Sequence, residues 1–165
     1  EPFAIDAAEQ PLLSGDVLGM VELQKRTPVP LFLHEGFFTM ADAVSMLEMG
    51  GIGAVGINAE RPGGITNALR LIDYAAARGV GTILHNQPLG IGTATQAHIA
   101  AARYDRLGHD PELAGDVMFE EHLTTGRYRV EDGSIVLPGG AGWGITVDRD
   151  ALDDHLVASP TSCSV

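Results

Sequence analysis

Five polar side chains recur along the first three quarters of this 165-residue chain: Glu9, Glu35, Asn58, His85 and Glu120. Their intervals are 26, 23, 27 and 35 residues, and each of the first four closes a short apolar run. Taken singly, each reads as a helix cap, a surface residue or a hydrogen-bonded structural group. Recurrence in phase gives them a common purpose. Two carboxylates, Glu9 and Glu35, can hold a hard cation such as Mg²⁺, which takes oxygen ligands and keeps several waters. His34 adjoins Glu35, but its imidazole suits a softer metal. Of the two, Glu35 is the preferred ligand.

The elements that would position these groups follow one rhythm. Apolar strands are expected at 3–9, 29–35, 52–58 and 80–85, and amphipathic helices at 14–26, 39–51, 63–79 and 93–107. Met40, Ala43, Val44 and Leu47 fall on one helical face, as do Ile65, Ala68, Leu69 and Ile72. Thr39 with Asp42 three residues on is a capping signature, and Gly79 can end the third helix. The strands are apolar on both faces, as parallel strands under helices must be. Alternating units of this length imply a parallel α/β sheet. A fifth strand is expected at 115–121. The rhythm then breaks into two strands across 127–147, turning at Asp132-Gly133, and a short helix at 148–156. In a barrel of parallel strands all carboxyl ends share one mouth, where chemistry collects.

Composition narrows the function. The net charge of −12 argues against nucleic acid and anionic membranes, whose binding needs Lys and Arg clusters. No apolar run reaches the roughly 18 residues of a membrane span. The single cysteine, Cys163, excludes an internal disulfide framework. A cytoplasmic location is expected.

The quoted residues also carry a resemblance. "EQP" after a strand, "PLFLHEGFFT", "GGIT", "LHNQPLGIGTATQAHIAAA" and "YRVEDGSIVLPGGAGWGITVD" follow in an order that resembles the enolase superfamily, in its mandelate racemase and muconate-lactonizing branch. The resemblance covers residue 1 to about 156. It implies strands four to eight of a modified TIM (β/α) barrel with a C-terminal β extension. It also implies Mg²⁺ and removal of a proton next to a carboxylate. Glu9 matches the metal-binding Glu of the fourth strand. Glu35 matches the fifth-strand Glu of the racemase type, and His34 falls where the lactonizing type carries an Asp. Asn58 stands where the sixth strand has a catalytic Lys or the Asp of a His–Asp dyad. His85 matches the His of that dyad. Glu120, or Glu121 in an alternative register, matches the eighth-strand Glu that contacts the substrate. Asn58 can still accept the His85 ring N–H but supplies no charge, which favours one-sided proton transfer over racemisation.

In the family, strands one to three and a capping domain precede these elements. A complementary N-terminal barrel half with the cap is therefore expected as a second chain or cleaved fragment, because open strand edges invite aggregation. Residues 1–126 would form the half-barrel, 127–157 the extension toward the cap, and 158–165 a loose tail. A higher homo-oligomer acting on a small carboxylate is expected, with dehydratase- or racemase-like chemistry. The alternatives are a degenerate barrel that only binds or scaffolds, and a lactone-forming cycloisomerase. Trp143 should pack the C-terminal strands against the barrel, and His98 and His109 should be structural.

Overall fold

The computed structural model describes residues 3–86, 89–126 and 128–157. Five parallel strands lie side by side in chain order: β1 (Ala8–Glu9), β2 (Leu31–Leu33), β3 (Ala54–Ile57), β4 (Gly81–Asn86) and β5 (Glu112–Leu113). Helices α1 (Val17–Gln24), α2 (Met40–Met49), α3 (Ile65–Ala76) and α4 (Gly90–Leu107) connect them. Each strand pairs with its neighbour in sequence, as in the wall of a (β/α) barrel. The wall curls through the C-terminal half of a barrel, as expected. Among the described residues, β1 and β5 have one strand neighbour each.

Strand parity sorts the side chains onto two faces. Ala8, Leu31, Leu33, Val55, Ile57 and Leu84 join the large core between the sheet and its helices. Phe32, Ala54 and Ile83, with Ala7, form a small cluster on the opposite face. Successive strand residues point to opposite sides, so Glu9, His34, Asn58 and His85 continue the inner rows begun by Ala7, Phe32, Ala54 and Ile83. The helices supply the outer half of the core. Ala43, Met46 and Leu47 of α2 are buried, as are Ala68, Leu71, Ile72 and Ala75 of α3.

The local signals act as expected at several points. Thr39 caps α2 in a complete capping box: its side chain accepts from the Asp42 N–H, while the Asp42 carboxylate accepts from the Thr39 N–H. Gly79 adopts a left-handed conformation just beyond α3. β6 (Val130–Glu131) and β7 (Ser134–Ile135) form an antiparallel hairpin whose Asp132 and Gly133 both have positive φ, the requirement of a tight two-residue turn. Helix α6 (Arg149–Asp154) starts from an Asp148 cap. His98 meets the Trp143 carbonyl at 3.3 Å and its ring at 5.1 Å, tying the C-terminal segment to α4.

Two expectations need correction. The first strand pairs over Ala8–Glu9 only, and Phe3 and Ile5 are exposed. The fifth strand lies at Glu112–Leu113, not 115–121, and Gly115–Met118 forms a short helix, α5. A four- to seven-residue apolar run has no period long enough to separate strand from helix. The tail and Cys163 lie outside the described residues.

Candidate functional site

Glu9, His34, Glu35, Asn58, Glu60, Arg61 and His85 line one cleft of about 500 Å³ at the carboxyl ends of β1 to β4. Four of the five recurring residues therefore share a rim. Glu120 does not join them: it and Glu121 are exposed, beyond α5, and neither lines the cleft.

His34, rather than the expected Glu35, sits at the centre of the cleft. Its ring is buried, with Nδ1 2.9 Å from Glu9 Oε1 and Nε2 2.9 Å from Asn58 Oδ1. The Glu35 carboxylate is half exposed and 3.7 Å from the same Nδ1. The reason is parity. Phe32 faces inward, so His34 does too, while Glu35, one residue on, reaches the cleft from its margin.

The expected pairing of Asn58 with His85 is also replaced. The Asn58 amide spans His34 and Glu60, with Nδ2 donating to Glu60 Oε1 at 3.0 Å. An ionised carboxylate only accepts, so the Asn58 oxygen must face His34, whose Nε2 therefore carries the proton. His85 Nδ1 lies 3.4 Å from Glu9 Oε1 and has no hydrogen-bond partner among the described residues. Its Nε2 is 3.7 Å from Glu112 Oε2, beyond hydrogen-bond reach. The rings of His34 and His85 stack with centroids 4.4 Å apart. They meet across β3 because Gly56 lies between them: a Cβ there would stand 3.1 Å from His34 Cβ and Cδ2.

Three supporting residues escaped the sequence reading. Gln10 Oε1 accepts from the backbone N–H groups of both His34 and Glu35, at 3.1 Å each, and so ties the end of β2 to β1. Arg61 donates to the His34 carbonyl at 3.1 Å. Glu60 fixes the Asn58 amide. Only the "EQP" motif hinted at Gln10. Arg61 acts across 27 residues of sequence and Glu60 only through Asn58, where no pattern is visible.

Glu9, His34 and His85 each offer one ligand atom within 4.8 Å of the others, a group able to hold a metal ion.

Comparison with known proteins agrees with this fold. The chain is 28% identical over 151 residues to muconate cycloisomerase 1 of Rhodococcus opacus, covering 90% of this chain and 40% of that protein. It is 29% identical over 162 residues to an N-succinylamino acid racemase of an Amycolatopsis species, covering 96% of this chain and 43% of the relative. The muconate lactonizing enzyme of Pseudomonas fluorescens, solved with muconolactone, superposes with a TM-score of 0.83 at 26% identity, over 91% of this chain and 40% of that one. The chain thus spans about 40% of the length of these relatives. The enolase C-terminal domain-like family model matches residues 1–151, and the chain belongs to that family, within the mandelate racemase and muconate-lactonizing branch of the enolase superfamily.

Proposed function

We propose that this chain forms the cation-holding side of an enzyme site that transfers a proton, on one face only, at the carbon next to a substrate carboxylate. Family membership supports the reaction class. The one-sidedness rests on a single observation: the Asn58 amide, at the end of β3, is engaged by His34 and Glu60. Racemisation needs a proton donor or acceptor on each face of the carbon. A carboxamide is not an acid–base catalyst, and among the described residues no group holds His85 by a hydrogen bond at Nδ1. The working base belongs to the N-terminal barrel half that carries the earlier strands and the cap, in keeping with the single strand neighbours of β1 and β5 among the described residues. Elimination or cycloisomerisation fits such a site better than racemisation.

Charge constrains the substrate further. Glu9, Glu35 and Glu60 face the cleft against Arg61 alone among the Lys and Arg side chains of the described residues. A carboxylate substrate approaches these acids only beside an added positive centre. Mg²⁺, the ion implied by the family, prefers oxygen ligands. The atoms that converge here are one carboxylate oxygen and two imidazole nitrogens, which do not fit it well.

The test uses the native assembly containing this chain, incubated in D₂O with muconate, muconolactone and single enantiomers of N-succinyl amino acids. Deuterium should enter one stereochemical position of a carboxylate substrate, with no inversion of any succinylamino acid. Inversion with solvent deuterium, or no exchange in any compound, overturns the proposal.

A further inference from the structure

We infer that Glu9, His34 and His85 bind a borderline divalent cation of the Zn²⁺ or Co²⁺ class through one carboxylate oxygen and two imidazole Nδ1 atoms. This goes beyond the proposed reaction, because it stands on three side chains of this chain and not on what the enzyme converts.

The hydrogen bonds around His34 start the argument from the outside. Glu60 orients Asn58, and Asn58 takes the Nε2–H of His34. In the neutral ring the Nδ1 lone pair then faces a carboxylate lone pair of Glu9 at 2.9 Å. Two lone pairs at that distance repel unless a positive charge lies between them. A ring whose outer N–H is held by an acceptor while its other nitrogen faces the site is the usual arrangement of a metal-ligating histidine.

His85 supplies an independent observation. Its side chain is 9% exposed, and among the described residues its Nδ1 has no hydrogen-bond partner although Glu9 Oε1 is 3.4 Å away. Burying a polar atom unpaired is unfavourable, and a shared cation would satisfy it. Two of the three separations also fit, and the stacked rings would tilt for both Nδ1 lone pairs to meet one ion. Metal–ligand bonds of roughly 2.0–2.1 Å at angles near 90–110° put neighbouring ligand atoms about 2.9–3.4 Å apart. The two imidazole nitrogens stand 2.9 and 3.4 Å from Glu9 Oε1. Two imidazoles and one carboxylate suit Zn²⁺ and its neighbours and leave positions open for substrate. The Glu35 carboxylate, which an oxygen-only site would recruit, is outside the group.

The native assembly, stripped with chelator and reloaded with Zn²⁺ or Co²⁺, tests this by X-ray absorption and Co²⁺ visible spectra. One ion per chain with two imidazoles in its shell is expected. His85→Gln should leave one imidazole and weaken Zn²⁺ binding by more than about 100-fold, beyond the roughly 10–100-fold of an outer-shell loss. Glu35→Gln should weaken it by less than about 10-fold. An all-oxygen shell, failure to take up either ion, or a larger loss from Glu35→Gln than from His85→Gln overturns the inference. The last two outcomes would leave His34 and Glu9 as a protonated ion pair or Glu35 as the ligand. If His85→Gln does not fold, the wild-type spectrum alone decides. Mg²⁺-supported deuterium exchange with an all-oxygen shell defeats this inference and spares the reaction. Imidazole-bound Zn²⁺ without exchange does the reverse.

Discussion

Asn58 gives its amide oxygen to His34 and not to His85: Oδ1 stands 2.9 Å from Nε2 of His34, while the amide nitrogen is held by Glu60. Three residues on two adjacent strand ends are thereby locked into one orientation. The link runs from the carboxylate of Glu60 through a carboxamide to a buried imidazole, and on to Glu9.

Replacing Asn58 by Leu removes the acceptor and leaves a buried N–H unpaired. The expected cost is about 1–3 kcal/mol, read as a lower denaturant midpoint of the native assembly with an unchanged slope. Asn58→Asp keeps the acceptor for His34 but loses the donor to Glu60 and sets two carboxylates together, so it should recover only part of the stability. An unchanged midpoint in Asn58→Leu would mean that the link to His34 contributes nothing.

Gln10→Ala strips the shared acceptor from the backbone N–H groups of His34 and Glu35. A loss of about 1–3 kcal/mol is expected, as for a donor left unpaired. Gln10→Glu preserves an acceptor and should recover part of it. Amide hydrogen exchange at residues 34 and 35 checks the cause, since both should exchange faster in Gln10→Ala and less so in Gln10→Glu.

Local chemistry was legible in the sequence and face-to-face geometry was not. Thr39 and Asp42 are three residues apart, and Asp132-Gly133 is a contiguous turn. Their structures follow from adjacent residues, and they are found as expected. The spacing of Glu9, Asn58 and His85 marked the rim because each strand–helix unit has a similar length. Which of His34 and Glu35 points inward depends on strand parity. The run "VPLFLHE" hides it, because a strand buried on both faces shows no alternation. The run "GDVMFEE" was too short to separate a helical turn from a strand, which displaced Glu120 from the expected rim. The partner of Asn58 is set by the adjacent ends of β2 and β3, where its amide meets His34 before His85, which no one-dimensional pattern records.

Gly56→Ala tests the approach of His34 and His85 across β3. The new methyl group would stand 3.1 Å from the Cβ and Cδ2 atoms of His34, closer than ordinary packing allows. His34 is held by Glu9, Asn58 and its own backbone, so it cannot simply swing away. Overpacking of this kind costs about 1–3 kcal/mol. The two stacked imidazoles should also part, changing the ring-proton shifts of His34 and His85. Unchanged shifts and stability would show that the strand yields instead.

The acid sensitivity of the helical layer should centre on Asp73, in α3. Its carboxylate accepts from Arg103 Nε at 2.8 Å and from Arg106 Nη1 at 2.6 Å, both in α4. The hydrogen bond from Arg103 holds the Asp73 carboxyl below its usual range, burial opposes this, and Arg106 lowers it further. A carboxyl depressed in the folded state binds protons more readily when unfolded. Its stabilisation is therefore present above the unfolded value and is lost as pH falls through the folded one. Asp73 is about one-third exposed, so solvent screens the interaction and the effect should be modest. Denaturant midpoints of the native assembly should fall as the pH is lowered from neutral into the carboxylate range. Asp73→Asn should flatten that slope and lower the neutral-pH midpoint, because the amide gives neither arginine a charge to meet. Arg103 also sits where α4 departs from helical geometry, at φ −138° and ψ 19°. An identical slope in Asp73→Asn would assign the acid response to other carboxylates and leave the α3–α4 contact to its apolar residues.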